Sequence, residues 1–169
     1  MKSYLSAIII ATLILVLSPN LKAQNSGDSF IGLGVAYDLI YFAPGLTLQY
    51  HKLSGIGGYF QYMDSSILGD EEEPTESATK FGINYTTKEY DGDDGFDMFW
   101  SVSGGVSIDN YYELTNSFES ERKNAVLPNI GFNTFIRSPD SNTYFFIGAS
   151  FNLGGQFNLS GTAGMTFSF

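Results

Sequence analysis

Eight stretches of this chain alternate apolar residues with small or polar ones, and that alternation restricts the fold more than any other feature. Side chains along an extended strand point to opposite faces in turn. A period of two therefore marks a strand whose two sides meet unlike surroundings. In the first stretch, Ile31, Leu33, Val35 and Tyr37 alternate with Phe30, Gly32, Gly34 and Ala36. In the second, Leu46, Leu48 and Tyr50 alternate with Thr47, Gln49 and His51. The third sets Gly58, Phe60 and Tyr62 against Gly57, Tyr59 and Gln61, with aromatics on both faces. The fourth sets Phe81, Ile83 and Tyr85 against Lys80, Gly82, Asn84 and Thr86. In the fifth, Met98, Trp100, Val102, Val106 and Ile108 oppose Asp97, Phe99, Ser101, Ser103 and Ser107. In the sixth, Val126, Ile130, Phe132 and Ile136 oppose Asn129, Gly131, Asn133 and Arg137. Pro128 removes a ladder donor there and predicts a strand start or a bulge. The seventh sets Phe145, Ile147, Ala149, Phe151 and Leu153 against Tyr144, Phe146, Gly148, Ser150 and Asn152. The eighth runs to the last residue, with Leu159, Ala163, Met165, Phe167 and Phe169 opposite Asn158, Ser160, Thr162, Gly164, Thr166 and Ser168.

Composition points the same way, since 15 Phe, 11 Tyr and 19 Gly suit pleated strands and turns better than helices. The connections also alternate. Moderate or long segments, 38–44, 64–77 and 109–123, follow the odd strands. Compact turns near 54, 89–95 and 138–142 follow the even ones, and the last link near Gly154 is short. In an up-and-down sheet one end therefore carries most of the loop mass. No repeat larger than a hairpin and no linker is visible, so residues 24–169 are expected to form one domain.

Residues 1–23 have the layout of a secretory signal peptide: Lys2, an apolar run from Ala7 to Leu17, then Ser18-Pro19-Asn20 and a small residue at Ala23. The run is shorter than the roughly 20 residues that a helix needs to span a bilayer. There is no cysteine, which excludes a lipid-anchored lipoprotein and any disulfide. The chain carries a formal net charge of −10, and loss of Lys2 and Lys22 makes it more negative still. Such a chain is not expected to bind nucleic acid, which calls for clustered Lys and Arg.

Alternation alone does not say whether the apolar face meets a core or lipid. A lipocalin-like barrel and a secreted β-sandwich share the pattern. The chemistry of the other face favours lipid, because it is mostly Gly, Ser, Thr, Asn and Gln. A water-exposed face normally carries many charges. Strand-borne charges are chiefly Lys80, Asp97 and Arg137. They lie on sequential strands, so ion pairing among them inside a barrel is expected. Aromatics near strand ends, among them Tyr37, Tyr41, Phe42, Tyr50, Tyr62, Tyr85, Tyr111, Tyr112 and Phe167, suit interfacial girdles. Membrane strands need about 9–11 residues and small barrels about eight strands, which this chain can supply.

Signal peptide, eight alternating strands and the terminal Phe169 together resemble the small Gram-negative outer-membrane β-barrels of the OmpA/OmpX type. The Ala23-Gln24 junction is similar to cleavage sites common in Bacteroidota. The resemblance implies an all-β, eight-stranded antiparallel up-and-down transmembrane barrel with both termini in the periplasm. Loops 38–44, 64–77 and 109–123 would face outward. It further implies that the barrel-assembly machinery reads Leu159, Ala163, Met165, Phe167 and Phe169, with Gly161 as the one gap. With nothing after Phe169, no peptidoglycan-binding domain is expected.

Some barrels of this kind modify lipid A with His, Ser and an acid. In the deacylases the His and Ser sit two apart on a strand. Here the lone histidine, His51, is followed at that spacing by Leu53, and Ser54 lies in a turn. A hydrogen-bonded luminal or interfacial histidine is the simpler expectation, and no catalytic residue is assigned. Asp91 to Gly95 looks like a calcium loop, but Phe96 stands where an EF-hand needs Gly and Val102 where it needs Glu. Asp70, Glu71, Glu72, Glu73 and Glu76 form an acidic surface loop, a solvated charge run or a contact for the divalent cations that bridge lipopolysaccharide. No P-loop, zinc spacing or dinucleotide fingerprint is present, so no cofactor is expected. Eight strands leave an interior only wide enough for side chains, which disfavours a conducting porin. The expectation is a monomeric outer-membrane barrel with a narrow plugged lumen and a structural or surface-interaction role. Its partners would be outer-membrane lipids and lipopolysaccharide. A lipid-modifying barrel enzyme and a soluble lipocalin-like carrier are the alternatives.

Overall fold

A computed structural model describes residues 29–67, 75–91, 96–114, 119–137, 141, 143–154 and 158–168. The signal-peptide segment, Asp70 to Glu73 and Phe169 therefore lie outside the described residues. Eight antiparallel strands form the barrel: β1 Ser29–Asp38, β2 Ala43–Lys52, β3 Gly55–Asp64, β4 Ser77–Thr86, β5 Asp97–Leu114, β6 Ser120–Arg137, β7 Thr143–Asn152 and β8 Leu159–Ser168. Each pairs with its neighbours in sequence. β4 meets β5 from Ser77↔Asn110 to Thr86↔Ser101. The ring closes where β1 meets β8, from Phe30↔Ser168 to Asp38↔Ser160. All eight strands found in the alternation are present, the third included. Its Tyr59, Gln61 and Met63 point inward and its Phe60 and Tyr62 outward.

The two ends differ. At the turn end lie the start of β1, the end of β8, the turn at Leu53 and Ser54, the connection from β4 to β5 and that from β6 to β7. Ser54 holds the left-handed conformation that so tight a turn demands (φ 52°). A two-residue ribbon, Tyr90–Asp91, pairs with the start of β5, so the described part of the segment 89–95 holds a little strand. At the loop end lie the connections after β1, β3, β5 and β7. Asp38 caps the first of these: its Oδ1 accepts from the backbone N–H of Ile40 at 3.0 Å and of Tyr41 at 3.1 Å. The second opens with a 3₁₀ turn, Ser65–Ile67, whose Ser66 N–H is capped by Asp64 at 2.9 Å.

The third corrects the sequence reading. Residues 109–123 are mostly not a loop. β5 and β6 stay paired from Asp97↔Arg137 to Leu114↔Ser120, as 18-residue strands beside neighbours of 10. Asn110, Tyr111 and Tyr112 oppose Asn124, Lys123 and Arg122, and polar pairs of this sort lack the apolar alternation that marks a strand. Pro128 is correspondingly not at a strand start but inside β6, just past the last pair with β7, Asn129↔Asn152. Its carbonyl accepts from Leu153 N–H at 2.7 Å. A residue's N and O point to the same side of a strand, so its missing donor faces Leu153, past the end of the β7 ladder, and takes nothing from the ladder with β5.

The inner face is narrow because glycines line its waist. Gly34 and Gly164 stand opposite each other on the closing ladder, and Gly82 opposite Gly105 on the ladder between β4 and β5. A Cβ on Gly164 would lie 2.2 Å from the Leu33 carbonyl oxygen and 2.7 Å from the Phe146 ring. A Cβ on Gly105 would lie 2.7 Å from the Tyr59 hydroxyl. That absent methyl lets Tyr59 cross the lumen from β3 and donate to Asn129 Oδ1 on β6 at 2.9 Å. Replacing Gly164 with Val is expected to lose about 1–3 kcal/mol through overpacking. Urea unfolding followed by far-UV circular dichroism measures it, and an unchanged midpoint would refute the close approach.

Candidate functional site

The interior is the candidate site, and it is built as two unlike halves. At the turn end it is aromatic. Phe30, Phe99, Phe135, Tyr144 and Phe146 are buried together, with Leu53 packed against them. Phe99 stacks on Phe135 at 4.3 Å between centroids and 10° between planes, and Tyr144 meets Phe99 edge-on at 4.9 Å. The sequence reading expected mainly small polar residues here. The signal was present, since all five aromatics fall at inward positions of their strands, but propensity alone also explains an aromatic in a strand.

His51 belongs to this half. It is fully buried, and its ring meets Phe135 edge-on at 4.6 Å. Nε2 lies 2.8 Å from Gln49 Oε1 and Nδ1 lies 3.0 Å from Thr86 Oγ1. Gln49 Oε1 is an acceptor only, which assigns the ring proton to Nε2 and leaves Nδ1 to accept from the Thr86 hydroxyl. Gln49 in turn donates to Thr47 at 3.2 Å. Neither partner of His51 is a serine or a carboxylate, so the nucleophile, base and orienter of a hydrolytic triad are not assembled around it.

The three charged strand residues do not form one network. Arg137 and Asp97 pair at the turn end, with Nη2 at 2.6 Å and Nε at 3.0 Å from Oδ2. Arg137 Nη2 also reaches Glu89 at 3.0 Å, its guanidinium lies over the Tyr144 ring at 4.7 Å, and the Tyr144 hydroxyl donates to Glu89. Lys80 lies toward the loop end instead, fully buried, and donates to Ser160 Oγ at 2.6 Å. Period two placed all three on one face. It did not place them at one height, because neighbouring strands run antiparallel and register decides height.

Around Lys80 is the second half of the interior, which is polar. Ser160 donates on to Asp38 Oδ2 at 3.1 Å. Asp109 accepts from Asn152 Nδ2 at 2.7 Å, from the Tyr41 hydroxyl at 3.4 Å and from Ser107. Asn152 Oδ1 accepts from Asn129 at 3.0 Å, which joins this network to the Tyr59 crossbar. Two buried carboxylates and one ammonium thus link β1, β4, β5, β6, β7 and β8. The alternation puts Asp38 and Asp109 in loops, because it ends before the strands that carry them do. Tyr41, expected in an interfacial girdle, is not there. It is buried against Ala43, Met63 and Ala78 and stacked on Tyr111 at 6.4 Å. Burial, then the carboxylates of Asp109, Asp38 and Glu76, pushes its phenol above the ordinary tyrosine range.

Of the acidic run, Glu76 is described. Its backbone pairs with Ser65, and its Oε1 accepts from Tyr112 N–H at 3.2 Å, which ties the base of that loop to the β5–β6 hairpin. Of the assembly-signal residues, Ala163, Met165 and Phe167 lie on the closing strand opposite Val35, Leu33 and Ile31, and Leu159 opposite Phe151 of β7. Among the described residues no group of His, Asp and Glu is arranged to hold a metal ion.

The same architecture occurs in solved structures. The N-terminal β-barrel domain of Pseudomonas aeruginosa OprF superposes with a TM-score of 0.58 at 16% identity, over 86% of this chain and 100% of that one. Ail, the attachment invasion locus protein of Yersinia pestis, crystallised with the heparin analogue sucrose octasulfate, gives 0.56 at 13% over the same shares. Neisserial surface protein A gives 0.52 at 12%, again over 86% and 100%. The chain has the fold of these eight-stranded outer-membrane barrels. No family model and no curated protein matches the sequence.

Exchanging Lys80 for Met leaves Asp38 and Asp109 buried without a cation. The expected loss is about 3–5 kcal/mol, the cost of breaking a buried charge network from one side. Adding Asp109→Asn should restore part of it. Chemical unfolding of the single and double variants measures both, and equal stability of wild type and Lys80→Met would refute the network.

Proposed function

We propose that the protein is an integral outer-membrane barrel with a structural or surface-interaction role. Its lumen is closed by side chains, and its acidic loops lie on the cell surface. The observation that carries this reading is the inversion of polarity across the sheet. Val35, Ile83 and Ile147 stand more than 60% exposed on the outside, with Leu46, Leu48, Phe60, Phe132 and Phe145 around the same belt. Thr47, Gln49, Lys80, Asn84, Asn133 and Ser150 are buried inside. A chain in water would gain by the reverse arrangement. In hydrocarbon this one has no open sheet edge among the described strands, because the ladder closes on itself.

The aromatic half, the Tyr59 crossbar and the Lys80 network each occupy the lumen at a different height. This supports a closed plug in place of a conducting pore. A lipid-modifying enzyme is the weaker reading, because the partners of His51 are an amide and a hydroxyl. A lipocalin-like carrier is weaker still, because the exposed belt is apolar.

Three outcomes are expected. The protein fractionates with outer membranes and migrates anomalously on gels until heated; recovery in a detergent-free soluble fraction would refute the reading. Phe81→Arg, in the middle of the belt, costs about 2–4 kcal/mol for refolding into phosphatidylcholine vesicles. Planar bilayers show no large stable conductance, and a sustained open channel would refute the plug.

A further inference from the structure

The belt is not uniform. Gly58 points outward on β3, opposite Tyr50 on β2 and Ile83 on β4, and leaves a groove of about 320 Å³ lined by Ile31, Leu48, Tyr50 and Phe60. A side chain there would meet little: the nearest atom to a Cβ on Gly58 is the Gly82 carbonyl oxygen at 3.4 Å.

The groove runs toward a cationic corner. Lys52 follows Tyr50 by two residues on the same exposed face, about 7 Å further along the strand. Its stem packs over Gly55, whose Cβ would lie 3.1 Å from Lys52 Cγ. Ser54 N–H donates to the Thr87 carbonyl at 3.3 Å, which folds the β2–β3 turn against the segment that carries the exposed Lys88. Among the described residues neither lysine takes part in an ion pair. Glu89 next door is engaged by Arg137 and Tyr144. The Ser29 and Tyr50 hydroxyls meet at 3.3 Å beside Lys52. On a chain of net charge −10, Lys52 beside paired hydroxyls at the end of an apolar groove, with the exposed Lys88 on the segment that meets the next turn, matches the two parts of one kind of ligand.

We propose that this groove is a binding site for an acidic glycerophospholipid. One acyl chain lies along Leu48, Gly58 and Phe60, and the phosphate faces Lys52, Lys88 and the Ser29–Tyr50 hydroxyls. The site rests on the membrane reading above. It adds selectivity to it, because Lys52 sets a positive charge beside the apolar groove.

The test uses the mature protein refolded into vesicles of equal parts dimyristoyl phosphatidylglycerol and dimyristoyl phosphatidylcholine, then extracted in mild detergent for native mass spectrometry. One retained phosphatidylglycerol is expected, preferred over phosphatidylcholine by about fivefold for each lysine. Gly58→Leu fills the groove and should abolish retention of both lipids while the heat-modifiable gel shift persists. Lys52→Gln with Lys88→Gln should keep a lipid in the groove and erase the preference. Equal retention of the two lipids by the wild type, or undiminished retention by Gly58→Leu, overturns the site and leaves the membrane reading intact. A chain that neither enters vesicles nor shows the gel shift overturns both.

Discussion

Everything in this molecule depends on the ladder between β1 and β8. Until Phe30 to Asp38 pair with Ser160 to Ser168, the sheet has two open edges and no inside. Closure creates the lumen, and the lumen lets Lys80, Asp38 and Asp109 be buried with partners. In the open sheet they would hang on a flat surface beside water. The outer belt depends on closure too. Aliphatic side chains facing hydrocarbon are tolerable only where the backbone behind them has no unpaired donor.

Closure also fixes the contents of the interior. A ring of eight strands encloses too little space for a full layer of large side chains at every height. The glycines at the waist resolve the conflict by giving their space to Tyr59 and Phe146. Large residues then collect at the turn end as a stacked aromatic cluster, and polar ones toward the loop end as a hydrogen-bonded network. The Arg137–Asp97–Glu89 group lies against Tyr144 at the turn end of the aromatic half.

The fold was legible because period two survives any tertiary context that treats the two faces differently. Ile31 to Tyr37 and Phe145 to Leu153 announce their strands without help. What escaped was whatever depends on register. Lys80 and Arg137 share a face yet stand at opposite ends, and no single-strand pattern encodes height. The upper parts of β5 and β6 escaped for another reason. Beyond Asn110 and Asn124 both faces of the ribbon are polar, and a strand between two similar environments has no alternation to show. Tyr41 was misplaced because the Asx turn made by Asp38 folds it back over the mouth, an event that the pattern of neighbouring residues does not record.

The paired ribbon above the rim has a mechanical meaning. A flexible loop damps whatever strikes its tip, but two strands laddered to Leu114↔Ser120 act as a stiff arm. Its fulcrum is where Tyr111 stacks on Tyr41 and Glu76 holds Tyr112, and its short end is Asp109, inside the polar network. A sideways push at the tip is therefore borne by side chains within the barrel, and the stiffness of the buried network sets how far the arm can swing.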